Sequence, residues 1–175
     1  WLYKGHRAMP WCSRCGTSLS QHELIDSYRA LTHTSVFINL PILEREGEYI
    51  LVWTTTPWTL TANTALAVHP DLDYAKVKQG DDIFYLSTGT LERLKPGYEA
   101  LGTVKGSELV GLHYRGPFFD LPSQQGLDTR VVAWEDVGEE EGTGVVHIAP
   151  GCGEADYNLS KAQDLPVLVP IDEEH

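Results

Sequence analysis

Tyr49-Ile50-Leu51-Val52-Trp53-Thr54-Thr55-Thr56-Pro57-Trp58-Thr59-Leu60 is an apolar run that opens into three adjacent threonines framed by two tryptophans. Four apolar residues without a polar interruption read as the start of a strand buried on both faces. Pro57 stops the strand, because proline has no N–H for a sheet ladder. A strand core uses one or two such hydroxyls, not three ending at a proline. At a strand exit, hydroxyls and released N–H groups suit gripping a small polar ligand, with indole faces as walls. Taken singly, Thr54 and Thr56 are strand residues of one face, and Trp53 and Trp58 belong more often to a core than to a clamp. The combination is what singles the segment out.

On either side the chain reads as short strands. Residues 34–40 alternate apolar and polar, and a charged turn over 44–48 leads into the strand 49–55. Residues 65–68 form a third strand, stopped by His69-Pro70-Asp71. Residues 74–78 and 82–87 pair across Gln79-Gly80-Asp81. A short helix is expected over 88–95, then short strands over 102–105 and 112–114, a loop over 117–125 and a strand over 129–134. An acidic loop, Glu139-Glu140-Glu141, precedes a strand over 145–149; a sharp turn follows, then a helix from Glu154 to Gln163 and a last strand over 166–170. The sum is a β-rich α+β chain, barrel-like, with many short strands and two or three small helices. Residues 1–30, with a helix-like stretch over 20–28, read as a connector, and 31–175 as the globular domain.

Composition narrows the function. Hydrophobic residues make up 42% of 175, enough for a core, and sixteen glycines with ten prolines favour many short elements. No apolar run reaches membrane-spanning length. The formal charge of −12 is the reverse of the footprint needed to hold a long nucleic acid by its backbone, though an acidic domain can still receive a nucleic-acid terminus. The chain starts at Trp1 and its one methionine is Met9, so a larger parent protein is expected. Cys12-Ser13-Arg14-Cys15-Gly16 is a knuckle of the kind that holds half a tetrahedral zinc site. A closed site needs two more ligands, and Cys152 stands alone, so zinc is expected only with ligands from outside this chain.

A second constellation lies downstream. Gly142-Thr143-Gly144 leads into Val145-Val146-His147-Ile148-Ala149-Pro150, and Gly151-Cys152-Gly153 leads into a helix with Asp156 in its first turn. A carboxylate there is favoured by the helix dipole and can cap N–H groups or hold a cationic ammonium. His147 points away from the face shared by Val146 and Ile148. Signatures of other chemistry are missing: no Gly-x-Ser-x-Gly elbow, no Gly-Lys-Ser/Thr phosphate loop, no His-Glu-x-x-His and no dinucleotide fingerprint.

Together, residues 53–63, 142–150 and Gly153-x-x-Asp156 resemble the editing domain of isoleucyl-tRNA synthetase, the insertion called connective peptide 1. The resemblance covers nearly the whole chain, including Tyr3-Lys4-Gly5-His6, Pro10-Trp11 with the Cys12–Cys15 knuckle, His69-Pro70 and Gly111-Leu112-x-Tyr114-x-x-Pro117-Phe118. The valyl and leucyl relatives replace the threonine run with an Arg-containing one. One departure is Thr61, where the family usually has proline, a change expected to loosen that loop without abolishing activity.

The resemblance implies hydrolysis of valine wrongly esterified to isoleucine tRNA, and of valyl-adenylate, in a pocket too small for isoleucine. It implies that Thr54, Thr55 and Thr56 line the pocket, fix the ester and terminal ribose and position the water. It further implies that Asp156 binds the α-ammonium, His147 shapes the side-chain pocket and Trp58 flanks the terminal adenosine or the pocket wall. No cofactor is implied for editing. Partners are the 3′ end of the aminoacylated tRNA and the parent synthetase, with the chain monomeric and cytoplasmic. The nucleotide-binding and activation signatures of a synthetase are absent, so no ligase activity is expected of the chain itself. The competing readings are a non-catalytic β-rich binding module and a zinc-dependent RNA-binding fragment, the latter opposed by the acidic charge.

Overall fold

The computed structural model describes residues 2–171. Residue 1 and residues 172–175, the outer limits of the connector and the domain, lie outside the described residues. The connector contains a two-residue hairpin, β1 (Trp11–Cys12) with β2 (Thr17–Ser18), and one helical turn, α1 (Gln21–Ile25). The helix is shorter than the expected 20–28. It starts where the Glu23 carboxylate accepts from the Ser20 N–H at 2.7 Å and hydroxyl at 2.8 Å. Among the described residues, none before Leu40 is buried.

The body is built on β3 (Val36–Pro41), β4 (Glu48–Thr54), β5 (Ala65–Val68), β6 (Asp73–Gln79), β7 (Asp82–Ser87), β8 (Glu99–Lys105), β9 (Arg130–Ala133) and β10 (Val145–Ile148). The helical turn α2 (Gly106–Leu109) and the helix α3 (Glu154–Gln163) complete it. Five strands form one sheet in the order β3-β4-β7-β6-β8, and three form a second in the order β10-β5-β9. The fold is β-rich with few short helices, as the residue pattern implies, and its strands are divided between sheets rather than closed into a barrel.

Strand parity sorts the core. Ile50 and Val52 of β4 pack with Leu66 and Val68 of β5, Val131 and Val145 in the cluster between the sheets. Ala65 and Ala67, on the other face of β5, pack with Ile148, Leu159 and Leu165 under α3. Leu51 turns to the outer face of the large sheet, where Leu91, Leu94 and Tyr98 cover it. β4 is thus buried on both faces, which explains its unbroken apolar run.

Three expected elements differ. Residues 112–114 make two isolated bridges, Ile42 to Tyr114 and His113 to Arg130, because they are wedged between two segments rather than aligned along one. Residues 88–93 form a 3₁₀ helix with a kink at Thr90, whose hydroxyl bonds the Ser87 carbonyl at 3.0 Å instead of continuing a helical ladder. Residues 166–170 form no strand; prolines at both ends remove ladder donors, and the stretch packs its Leu168 carbonyl against Gly151. A second 3₁₀ helix, Pro57–Ala62, follows the threonines with proline in its first turn.

Candidate functional site

Thr54 is the last residue of β4 and keeps the parity of Ile50 and Val52, so it points between the sheets. β10 packs against β4 there, and His147 shares the parity of Val145. Val146 and Ile148 pack on the α3 side, so His147 faces away from both. The two strand ends and the start of α3 enclose a cleft of about 410 Å³. Thr54, Thr55, Thr56, Trp58, His147 and Asp156 all line it, alongside Trp53, Thr59 and Val146. Six residues from three segments, with Thr54 and Asp156 more than a hundred positions apart, therefore meet at one concave surface. Its volume falls in the range of small-molecule sites, about 300–1,000 Å³.

The threonines are tied to one another. Thr54 Oγ1 accepts the Thr56 N–H at 3.1 Å and lies 3.3 Å from Thr56 Oγ1. Thr56 Oγ1 lies 3.4 Å from Thr59 Oγ1, which donates to the Thr56 carbonyl at 2.8 Å. Thr55 is exposed at the cleft and makes no hydrogen bond through its side chain among those of the described residues. Trp58 stands at the rim, 62% exposed, with the His33 ring edge-on at 5.9 Å. Thr61 bonds the Trp58 carbonyl at 3.2 Å, and its own carbonyl accepts from Gln124 at 2.7 Å. Those two bonds tie down the loop at Thr61.

Glycine is required at the far wall. Gly142 has φ +60°, and a Cβ there would lie 2.8 Å from the Trp53 ring. Gly144 has φ +68°, and a Cβ would collide with the Ser87 side chain. The turn between them is pinned by Ser87 N–H to the Thr143 carbonyl at 2.8 Å and by Tyr74 OH to the Gly144 carbonyl at 2.7 Å. Glu141 is thereby held on the cleft edge.

Asp156 is the third residue of α3 and folds its carboxylate back, accepting the Ala149 N–H at 2.9 Å. The helix dipole favours negative charge there. Its second oxygen has no protein partner among the described residues. His147 is 9% exposed, and burial holds its pKa below the ordinary imidazole value, against a smaller opposing pull from Asp156. Its Nε2 lies 2.8 Å from Thr59 Oγ1, and its Nδ1 lies 3.4 Å from Asn63 Nδ2. Asn63 also donates to the Ala65 carbonyl at 3.0 Å and accepts from Tyr114 OH at 2.6 Å. Thr59, Asn63 and Tyr114 are residues to which the sequence alone assigns no role. All three lie in quoted motifs, but only the fold shows that they converge on one imidazole.

Cys12 and Cys15 are not part of this cleft. The β1–β2 turn brings them together, with Cys15 N–H 3.2 Å from the Cys12 carbonyl. Hydrogen bonds from Cys15 pull the Cys12 thiol below its ordinary range and raise Cys15 in return. Among the described residues, no cluster of three or more His, Cys, Asp or Glu forms that could hold a metal.

No protein-family model matches the chain. Isoleucine–tRNA ligase 2 of Bacillus cereus is 43% identical over 173 residues, spanning 98% of this chain and 17% of that protein. Isoleucine–tRNA ligases of Clostridium tetani (39%, 99% of this chain, 17% of that one) and Thermococcus kodakarensis (38%, 98% and 18%) agree. The chain thus spans less than a fifth of the length of these relatives. Among solved structures, GlLeuRS-CP1 has the same fold at a TM-score of 0.63 and 18% identity, over 73% of this chain and 59% of that one. The P. knowlesi cytosolic leucyl-tRNA synthetase editing domain matches at 0.60 and 16% identity, over 74% and 62%. By sequence the chain corresponds to a segment of the isoleucine–tRNA ligases, and by fold it is like the solved leucyl-tRNA synthetase editing domains.

Proposed function

We propose that this chain hydrolyses valine esterified to isoleucine tRNA, and valyl-adenylate, within its parent synthetase. The observation that carries the reading is the placement of an anchored carboxylate, Asp156, and a connected threonine cluster on one cleft. The free oxygen of Asp156 receives the α-ammonium. Thr54, Thr55 and Thr56 bind the ester and terminal ribose and orient the attacking water, with their hydroxyls supporting the developing oxyanion. Trp58, exposed at the rim, offers a face to the terminal adenosine. His147 closes the side-chain end against isoleucine.

The physical need for a second pocket is plain. One methylene gives a synthetic site only about 1–3 kcal/mol of preference, a magnitude for which these very synthetases are the standard illustration. The chain works as a monomeric cytoplasmic domain. Zinc enters only if the parent adds two ligands to Cys12 and Cys15.

The test is deacylation of valyl- beside isoleucyl-tRNA by the chain, alone and within its parent. Selective loss of the valyl ester is expected. Binding of a non-hydrolysable valyl-adenosine analogue without turnover by either form would instead make the cleft a binding module.

A further inference from the structure

Hydrogen-bond direction around His147 can be worked out from both ends. Thr59 Oγ1 has one hydrogen, and the Thr56 carbonyl at 2.8 Å, which can only accept, takes it. Both 2.8 Å contacts are hydrogen bonds only if Thr59 Oγ1 accepts at His147, so that Nε2 carries the ring proton. From the other end, Tyr114 OH donates to Asn63 Oδ1 at 2.6 Å, and the Ala65 carbonyl accepts from Asn63 Nδ2 at 3.0 Å. The Ala65 carbonyl, which can only accept, orients the amide with its nitrogen toward the ring, and the Tyr114 hydroxyl then donates to the oxygen. Asn63 Nδ2 then donates its second hydrogen to a bare Nδ1 at 3.4 Å. The two derivations share no contact and give the same neutral tautomer.

We infer that Tyr114 and Asn63, from one side, and Thr59, from the other, lock His147 as the Nε2–H tautomer, so that the ring is a fixed wall and not the base that activates water. Both ring nitrogens are engaged: Nε2 gives its proton to Thr59, and the Nδ1 lone pair is covered by Asn63. No lone pair is left to take a proton from water. The lock also reaches the threonines, since Thr59 bonds the ring, the Thr56 carbonyl and the Thr56 hydroxyl region at once. Thr59 and Tyr114 are thus positioning residues, acting through His147 and Thr56. The catalytic part of this inference rests on the hydrolytic reading above; the tautomer does not.

Two measurements test it. In the ¹⁵N-histidine-labelled chain, His147 is identified by its loss in His147→Gln and should show a pyridine-type Nδ1 and a pyrrole-type Nε2. Asn63→Asp, which places a carboxylate before Nδ1 while Thr59 still accepts from Nε2–H, should give a doubly protonated ring at neutral pH, and Tyr114→Phe, which frees the amide oxygen but keeps its bond to Ala65, should leave the native tautomer. A native chain already in the Nδ1–H form, or a protonated ring at neutral pH, overturns the lock even if deacylation is normal. In the parent enzyme, Thr59→Val keeps the shape but strands a buried N–H. It should lower valyl-tRNA deacylation about tenfold or more through kcat, with KM little changed. Thr59→Ser should restore most of the rate. Native rates in Thr59→Val, or no rescue by serine, overturn the positioning role. A native enzyme that cleaves no ester defeats the hydrolytic reading alone, since the tautomer is read independently.

Discussion

Asp156 carries two separable jobs, and one substitution parts them. Its Oδ2 accepts the Ala149 N–H at 2.9 Å, and its charge faces the cleft. Asp156→Asn retains an oxygen for Ala149 and loses only the charge. The helix start should then lose about 0.3–1 kcal/mol, a small cost in unfolding experiments. If the ammonium is held by that charge, valyl-tRNA deacylation should fall about 10- to 100-fold, the worth of a charged hydrogen bond. A large loss of stability with a native turnover per folded molecule would make Asp156 a helix cap and nothing more. His147→Ala removes a nearly buried ring from the cleft wall. Isoleucyl-tRNA, spared by the native chain, should then be cleaved, with discrimination reduced about tenfold or more. Continued sparing of isoleucine would place the steric limit elsewhere.

The elements that carry these residues were legible in unequal measure. β5, β7 and α3 coincide with the limits read from the sequence, because alternation, turn residues and helical spacing agree there. Residues 166–170 carry strand-like composition without a ladder partner, and residues 112–114 make only isolated bridges to two segments, since pairing is a property of the fold rather than of the segment. The threonine run was visible because it stands at the exit of a strongly patterned strand, and Asp156 because it stands in the first turn of a helix that follows a glycine-rich turn. Thr59 and Asn63 lie in the same run yet gave no hint of contact with His147, since that contact spans 88 and 84 positions. The loop 142–144 is where an element-scale prediction is sharpest. Gly144→Ala must accommodate both φ +68° and a collision with Ser87. It should destabilise the chain by about 2–4 kcal/mol in urea unfolding, as strained and overpacked sites do. A change below about 0.5 kcal/mol would mean the β7 end yields easily, and that the cleft wall is softer than the packing of Ser87 implies.

For the whole molecule, the cleft lies where two sheets meet, so its protonation state feeds back on folding. Burial disfavours the imidazolium of His147, and its pKa in the folded chain lies below the ordinary value near 6.5 that the unfolded chain keeps. Above about pH 6.5 the ring is neutral in both states, and the folded chain has its full stability. As the pH falls through that value the unfolded chain binds a proton that the folded chain refuses. Stability therefore drops with acidification until the pH passes the lower, folded pKa. Asp156 offsets part of this by favouring the cation. His147→Gln has no proton to bind at this position in either state. Thermal midpoints followed from about pH 7.5 down to about pH 5 should therefore fall more steeply for the native chain than for His147→Gln. Parallel curves would show that the ring protonates in place. Its hydrogen bond from Asn63 would then have to break without cost, and the tautomer lock would fail with it.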